Sequence, residues 1–420
     1  MKELIVVTIL IFVSLSGSRL SFFNRKISLG FKSIMFTGTE YILIGILLGN
    51  SGFQLIDQHT IKTFSPFLMF GLSAIGFLFG LQFNKEQLKK IPRYYFIISF
   101  VESFITFLTV SVLTYVLLGS FLKLDKNTLV FAALIMGSFS STTAQSALAI
   151  INQNYRFKNI KKINMLRYIS SIDGFYAICF FILSLSIFSN QDINQFSLSG
   201  SLLLMGFSIF MGIIPAIVFI IILRTKITKQ EFFAILVGTV LFTGGISLQI
   251  HYSPLIAGFV SGILIANFCK HSIKALSVLI KSEKSFYIIL LVFMGAMWNF
   301  DILSFIAVVI YLIARTTGKF LGSLLGLRIF CKKECFIFTT GFGLLSEGGI
   351  SIAILMSFSF MYPDIANSLI SILVISVFVN ELLSPYFILK QFGKDEIVNI
   401  NIRQKIKQKY PEIKESIHND

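Results

Sequence analysis

Long apolar stretches separated by short polar connections fill almost the whole chain. They read as thirteen spans, at residues 3–17, 36–52, 62–83, 94–119, 127–150, 165–188, 198–223, 231–249, 253–269, 285–300, 302–325, 335–359 and 366–389. A membrane-crossing helix needs about 20 mostly apolar residues and satisfies its own backbone. A β-barrel would show alternating stretches of about 10 residues, and these are missing. The pattern predicts an all-α polytopic membrane protein of about thirteen transmembrane helices. Residues 1–389 form the transmembrane domain and 390–420 a short basic tail. Span 1, with Met1-Lys2 ahead of an apolar run and Ser16-Gly17-Ser18 behind it, also reads as a cleaved signal peptide.

Four spans carry polar groups near their middle. Span 5 holds Ser140-Ser141-Thr142-Thr143, span 6 Asp173, span 11 Arg315, and span 12 Ser346-Glu347-Gly348-Gly349. A charge at mid-bilayer costs about 2.5–3.5 kcal/mol even on insertion scales, so it persists where it is paired or lines a hydrated path. Asp173 lies eight residues into its span, roughly 12 Å deep at helical rise. It is a hard oxygen ligand able to hold a cation or a proton. Ser141, Thr142 and Thr143 offer hydroxyls and, where the helix unwinds, carbonyls to complete a cation shell. Close helix packing by small residues is the structural reading of the same stretch.

Arg315 cannot be deprotonated and needs a carboxylate partner, either Asp173 or Glu347. Lys319, one turn on, shares its face and reads as an interfacial anchor. Glu102 in span 4 and Glu381 in span 13 are further intramembrane acids, either helix-packing groups or accessory members of the site. Gly348-Gly349 weakens span 12 in mid-membrane. Interruptions in spans 5 and 12, in opposite halves of the chain, predict two inverted repeats with discontinuous crossing helices.

Composition then narrows the class. The chain is 55% hydrophobic and 13% charged, with a mean hydropathy of +0.83. Its net charge of +16 could suggest nucleic acid, but the Lys and Arg sit in alternate short connections. Of the 36, all but Lys2, Lys62, Lys123, Lys126, Arg315 and Lys319 fall on one side. The positive-inside rule places the amino terminus outside the cell membrane and the carboxyl terminus in the cytoplasm. Cys179, Cys269, Cys331 and Cys335 read as free thiols, and scattered histidines argue against a histidine relay. No nucleotide-binding motif is present, which disfavours ATP-driven pumping, and no cofactor is implied.

Several segments resemble the monovalent cation:proton antiporter superfamily, in its Kef-type and sodium–proton exchanger branch. They are Thr39–Asn50, Phe77-Leu78-Phe79-Gly80-Leu81-Gln82, Ser140–Ala144, Arg315 and Ser346-Glu347. Gln82 stands where the branch usually has an acid, and Arg315 where it usually has a lysine. Ile172-Asp173 keeps only the second of two polar positions common in span 6. The resemblance implies a secondary antiporter, not an enzyme, exchanging Na⁺, or Li⁺ or K⁺, for protons. It implies a homodimer whose spans 5, 6, 11 and 12 move against a dimerising scaffold. With one titratable group in span 6 and an arginine in span 11, one-for-one exchange is expected. Potassium efflux, anion or organic-acid transport with Arg315 as anchor, and a membrane sensor or subunit without exchange remain open.

Overall fold

The computed structural model describes residues 29–119, 125–157, 160–188, 198–224, 228–250, 252–299, 302–330, 340–391 and 397–399, with a few isolated positions before residue 13. Most of span 1, Cys331, Cys335, His251 and nearly all of the tail lie outside these residues.

The helices run α1 (Leu29–Thr37), α2 (Glu40–Leu48), α3 (Gln58–Leu81), α4 (Arg93–Leu113, closed by a wide turn to Leu118), α5 (Lys126–Ser140), α6 (Ser146–Asn154), α7 (Ile160–Phe188) and α8 (Leu198–Ile222). Then come α9 (Lys229–Gln249), α10 (Pro254–Phe268), α11 (Ser272–Ala296), α12 (Ile302–Phe330), a tight turn at Thr340–Leu344, α13 (Gly349–Met361) and α14 (Pro363–Gln391). Among the described residues six helices are long and apolar enough to cross a membrane. The count of thirteen spans is therefore not reproduced. Two expected spans, 127–150 and 335–359, are each two shorter pieces around a break, and 36–52 is divided at Gly38. One small departure from an all-helical chain is an antiparallel pairing of Tyr155–Phe157 with Ile397–Asn399.

Side chains on the outer faces are apolar: Leu43, Phe104, Ile217, Phe268 and Ile313 are exposed. Ser99, Glu102, Asp173, Arg315, Lys319 and Glu347 are buried. That inversion of the soluble pattern suits a hydrocarbon solvent, where polar groups must find partners inside.

Packing sorts the helices into two groups. α3 packs on α9, α10 and α11, α10 also on α8, and α2 on α11; α4 packs on α5, α7 and α12, and α14 on α12, α13 and α1. Small residues set the closest approaches. Gly76 and Gly80 of α3 lie flush against the backbone of α10, and Gly258 and Gly262 of α10 against that of α3, so any side chain there would collide. Gly318 and Gly322 of α12 meet the backbone of α4 at Thr106 and Glu102 in the same way. This second contact positions the site, because it draws Lys319 and Glu102 together.

Candidate functional site

The two breaks meet near the middle of the second group. The first is explained locally. Ser140 Oγ donates to Gly137 O at 2.8 Å, Ser141 Oγ to Ser138 O at 2.8 Å and Thr142 Oγ1 to Phe139 O at 3.0 Å. Three successive hydroxyls thus bond the backbone one turn back, which competes with continued helix. α5 ends at Ser140, and α6 resumes at Ser146. In the second break Gly348 is fully extended before α13 begins. The breaks are stitched together: Ala144 N–H donates to Ser346 O at 2.9 Å, Thr143 Oγ1 to Leu344 O at 3.2 Å, and the hydroxyls of Thr142 and Ser351 are hydrogen-bonded.

Breaking a helix leaves carbonyls without partners and a partial negative charge at each C-terminal end. α12 brings two cations to them. Arg315 donates through Nε to Ser140 O at 3.0 Å, through Nη2 to Thr142 O at 2.8 Å and Ser346 O at 3.4 Å, and through Nη1 to Leu345 O. Its carboxylate neighbour is Glu347, 3.9 Å from Nε. Of the two partners left open by the sequence, Glu347 is the one found.

Lys319 corrects the sequence reading. An anchor would reach the headgroups, but Lys319 is wholly buried, because α4 closes over it along the glycine-lined contact. Its Nζ lies 2.8 Å from Glu102 Oε1 and 3.5 Å from Asp173 Oδ2. It also donates to Ser141 O at 2.6 Å and Thr143 Oγ1 at 3.0 Å. The base beside Asp173 is thus Lys319, not Arg315. The one-for-one argument from an untitratable arginine loses its premise.

Asp173 sits midway along α7. Neither carboxylate oxygen accepts a hydrogen bond within normal limits; Lys319 and the hydroxyl and amide of Thr143 are its nearest partners. It lines a cavity of about 470 Å³ together with Thr142, Thr143 and Ser146 of the first break and Gly348 of the second. Farther along, the wall includes Gln82, Ser170, Glu283 and Lys284. Burial raises the pKa of Glu283, which lies ahead of the apolar part of α11.

Residues 7–389 match the family described as sodium/hydrogen exchanger, transmembrane. The chain belongs to that family. Two solved structures of the sodium proton antiporter MjNhaP1 from Methanocaldococcus jannaschii share its fold. One, at pH 8, has a TM-score of 0.68 at 16% identity and covers 92% of this chain and 100% of that one. The other, from electron microscopy, has a TM-score of 0.63 at 16% identity, covering 94% and 99%. A comparison with curated protein sequences finds no match. As a sodium/hydrogen exchanger family member, the chain is an integral membrane transporter exchanging a cation for protons, not an enzyme.

Within this exchanger the remaining expected residues fall into distinct places. Thr142 and Thr143 line the cavity beside Asp173, but their hydroxyls already serve Phe139, Ser351, Leu344 and Lys319. Ser141 does not line it and contributes its carbonyl to Lys319. Glu347 accepts from Tyr311 Oη at 2.7 Å, Asn380 Nδ2 at 2.9 Å and Ser376 Oγ at 3.2 Å. Glu381 accepts from Ser33 Oγ and Ser346 Oγ, both at 2.7 Å, and from Ser146 Oγ at 3.1 Å. Sequence reasoning missed Tyr311, Asn380 and Ser33 altogether. It named Glu102 without its role; the available signal was the four-residue spacing of Arg315 and Lys319, which puts both on one face of α12.

Proposed function

We propose that the protein is a secondary antiporter of the cell membrane in which a sodium ion and a proton compete for Asp173. The observation that carries this reading is the state of that carboxylate. It is buried, faces the cavity, and has acceptor capacity that no neighbour fills. A hard monovalent cation or a proton satisfies such a group, and only one of them can do so at a time. Lys319 balances part of its charge, and Thr142, Thr143 and nearby carbonyls complete the cation's oxygen shell after small hydroxyl rotations.

The cavity wall includes Gln82, Glu283 and Lys284, which adjoin the positively charged connections. With those connections in the cytoplasm, this conformation admits ions from the cytoplasmic side. Alternating access then follows from movement of the α4–α7 and α12–α14 group against the α2–α3 and α8–α11 group. The latter is the face through which two copies associate.

An anion or organic-acid carrier is disfavoured by Arg315. Its nitrogens are already committed to four main-chain carbonyls beside Glu347, so little remains to hold a substrate. The deciding experiment is proton movement in sealed proteoliposomes on addition of NaCl, LiCl, KCl or an organic acid. Sodium-stimulated movement supports the proposal. Stimulation by potassium alone makes this a potassium efflux system, and none by any cation leaves the sensor or subunit reading.

A further inference from the structure

Resting on the movement of the two helix groups described above, we propose that an anionic phospholipid binds in a groove where they meet, beside the connection between α3 and α4, and favours the conformation seen here. A cavity of about 540 Å³ opens there, within the size range of ligand sites. Lys85, Lys89 and Arg93 line it, and no carboxylate does. All three cations are exposed. Among the described residues none of them has an ion-pair or side-chain hydrogen-bond partner. Glu86, the one acid of residues 82–93, is not part of the wall. Most of the remaining wall is apolar, with Phe83, Phe96, Phe175 and Ile263.

The two sides of the groove belong to different groups. On one side two asparagines clamp the start of the connection to the end of α10. Asn84 Nδ2 donates to Ala266 O at 2.7 Å, and Asn267 Oδ1 accepts from Lys85 N–H at 2.8 Å. On the other side Arg93 opens α4, and Tyr176 Oη donates to Phe96 O at 3.0 Å, which ties α7 to α4. Phe175 comes from α7, two residues beyond Asp173. Its ring lies 5.3 Å from that of Phe83, so the aromatic wall itself crosses the seam. An anion held by Lys85 and Arg93 together requires the two sides to stand at this spacing. A ligand shifts a conformational equilibrium when it binds one arrangement better than the other.

Charge and polarity select the occupant. Three cations without a counter-charge call for an anion, and phosphate oxygens suit both lysine and arginine. A soluble anion would leave the apolar wall uncovered. The tail of this chain is itself basic and is repelled. A phospholipid satisfies both parts of the groove. Its phosphate meets the three cations, and an acyl chain follows the apolar wall out over Phe100 and Phe104, which are exposed on the outer face of α4.

The test uses the full-length protein purified in detergent, with retention of dioleoylphosphatidylglycerol and dioleoylphosphatidylcholine read by native mass spectrometry. The wild type should hold the anionic lipid about ten-fold more strongly than the zwitterionic one. Lys85→Gln, Lys89→Gln and Arg93→Gln together should abolish that preference. Lys229→Gln, Lys270→Gln and Lys281→Gln together remove the same charge from other connections and should keep it. Ile263→Trp fills the groove, leaves the cations in place, and should reduce retention of the anionic lipid to that of the zwitterionic one. Equal loss from the two triple variants, or full retention by Ile263→Trp, means general surface attraction and overturns the site. Displacement of the lipid by inorganic phosphate means a free-anion site and also overturns it. In phosphatidylcholine liposomes, added phosphatidylglycerol should lower the KM for sodium, supplied on the side of the positively charged connections, about two-fold more in the wild type than in the Lys85, Lys89 and Arg93 variant. Sodium enrichment at a negative surface acts on both alike. Equal shifts overturn the coupling to conformation and leave antiport standing. No sodium-stimulated proton movement in either lipid overturns antiport, and the retention result alone then decides the lipid site.

Discussion

The two breaks hold buried carboxylates of opposite character. At the second break Glu347 and Glu381 each accept three side-chain hydrogen bonds, from Tyr311, Asn380 and Ser376 and from Ser33, Ser346 and Ser146. At the first, Asp173 accepts none and faces the cavity. An acid fully supplied with donors is fixed in one geometry and resists exchange of partners. An acid left short is ready for a ligand. The difference separates the frame from the site within one charged core, where burial and residue type alone do not.

The largest expected effect is on Asp173. Asp173→Asn should reduce sodium-stimulated proton flux to background at matched expression, with thermal stability close to wild type. Retained flux would move the site elsewhere and erase the distinction between the breaks. At the second break the effect should fall on stability instead. Arg315→Ala strips four carbonyls of their donor and leaves Glu347 without its cation. A loss of about 3–5 kcal/mol is expected from breaking such a buried pair. Combined with Glu347→Ala, the loss should be smaller than the sum of the single losses, read from thermal unfolding in detergent. Additive losses would mean that the 3.9 Å pair contributes nothing.

Much of this frame was legible in the residues. The polar interruptions marked both breaks, because unwound backbone and buried charge are rare in apolar spans. Asp173 stood out by depth, and Glu347 was one of two named partners for Arg315. What escaped was the choice between Arg315 and Lys319. Length and position made Lys319 look able to reach the membrane surface. The α4–α12 approach that encloses it depends on Gly318 and Gly322 meeting the backbone of Glu102's helix, a tertiary contact with no local signature. The serine ring around Glu381 escaped for the same reason, since Ser33, Ser146 and Ser346 come from distant parts of the chain.

Smaller effects sharpen the comparison. Removing one of several donors to a saturated acid should cost about 1–3 kcal/mol and spare transport. Ser376→Ala, which deprives Glu347 of its 3.2 Å donor, should lower the melting temperature while sodium affinity stays unchanged. Glu283, in the cavity wall, has a pKa raised by burial, so it is neutral at low pH and charged above that raised value. Only the charged form attracts cations into the cavity. The wild-type KM for sodium should therefore rise as pH falls through that range. Glu283→Gln should have a KM about two- to five-fold higher at high pH, converging on wild type at low pH. A KM difference that is constant across pH would remove Glu283 from the entry path.

Competition at a single carboxylate is tested most directly by sodium binding to the purified protein, followed by calorimetry at a series of pH values. The account predicts that affinity falls about ten-fold per pH unit once Asp173 is protonated, with proton release on binding, and that Asp173→Asn loses binding. Sodium affinity independent of pH, or undiminished in Asp173→Asn, would contradict it.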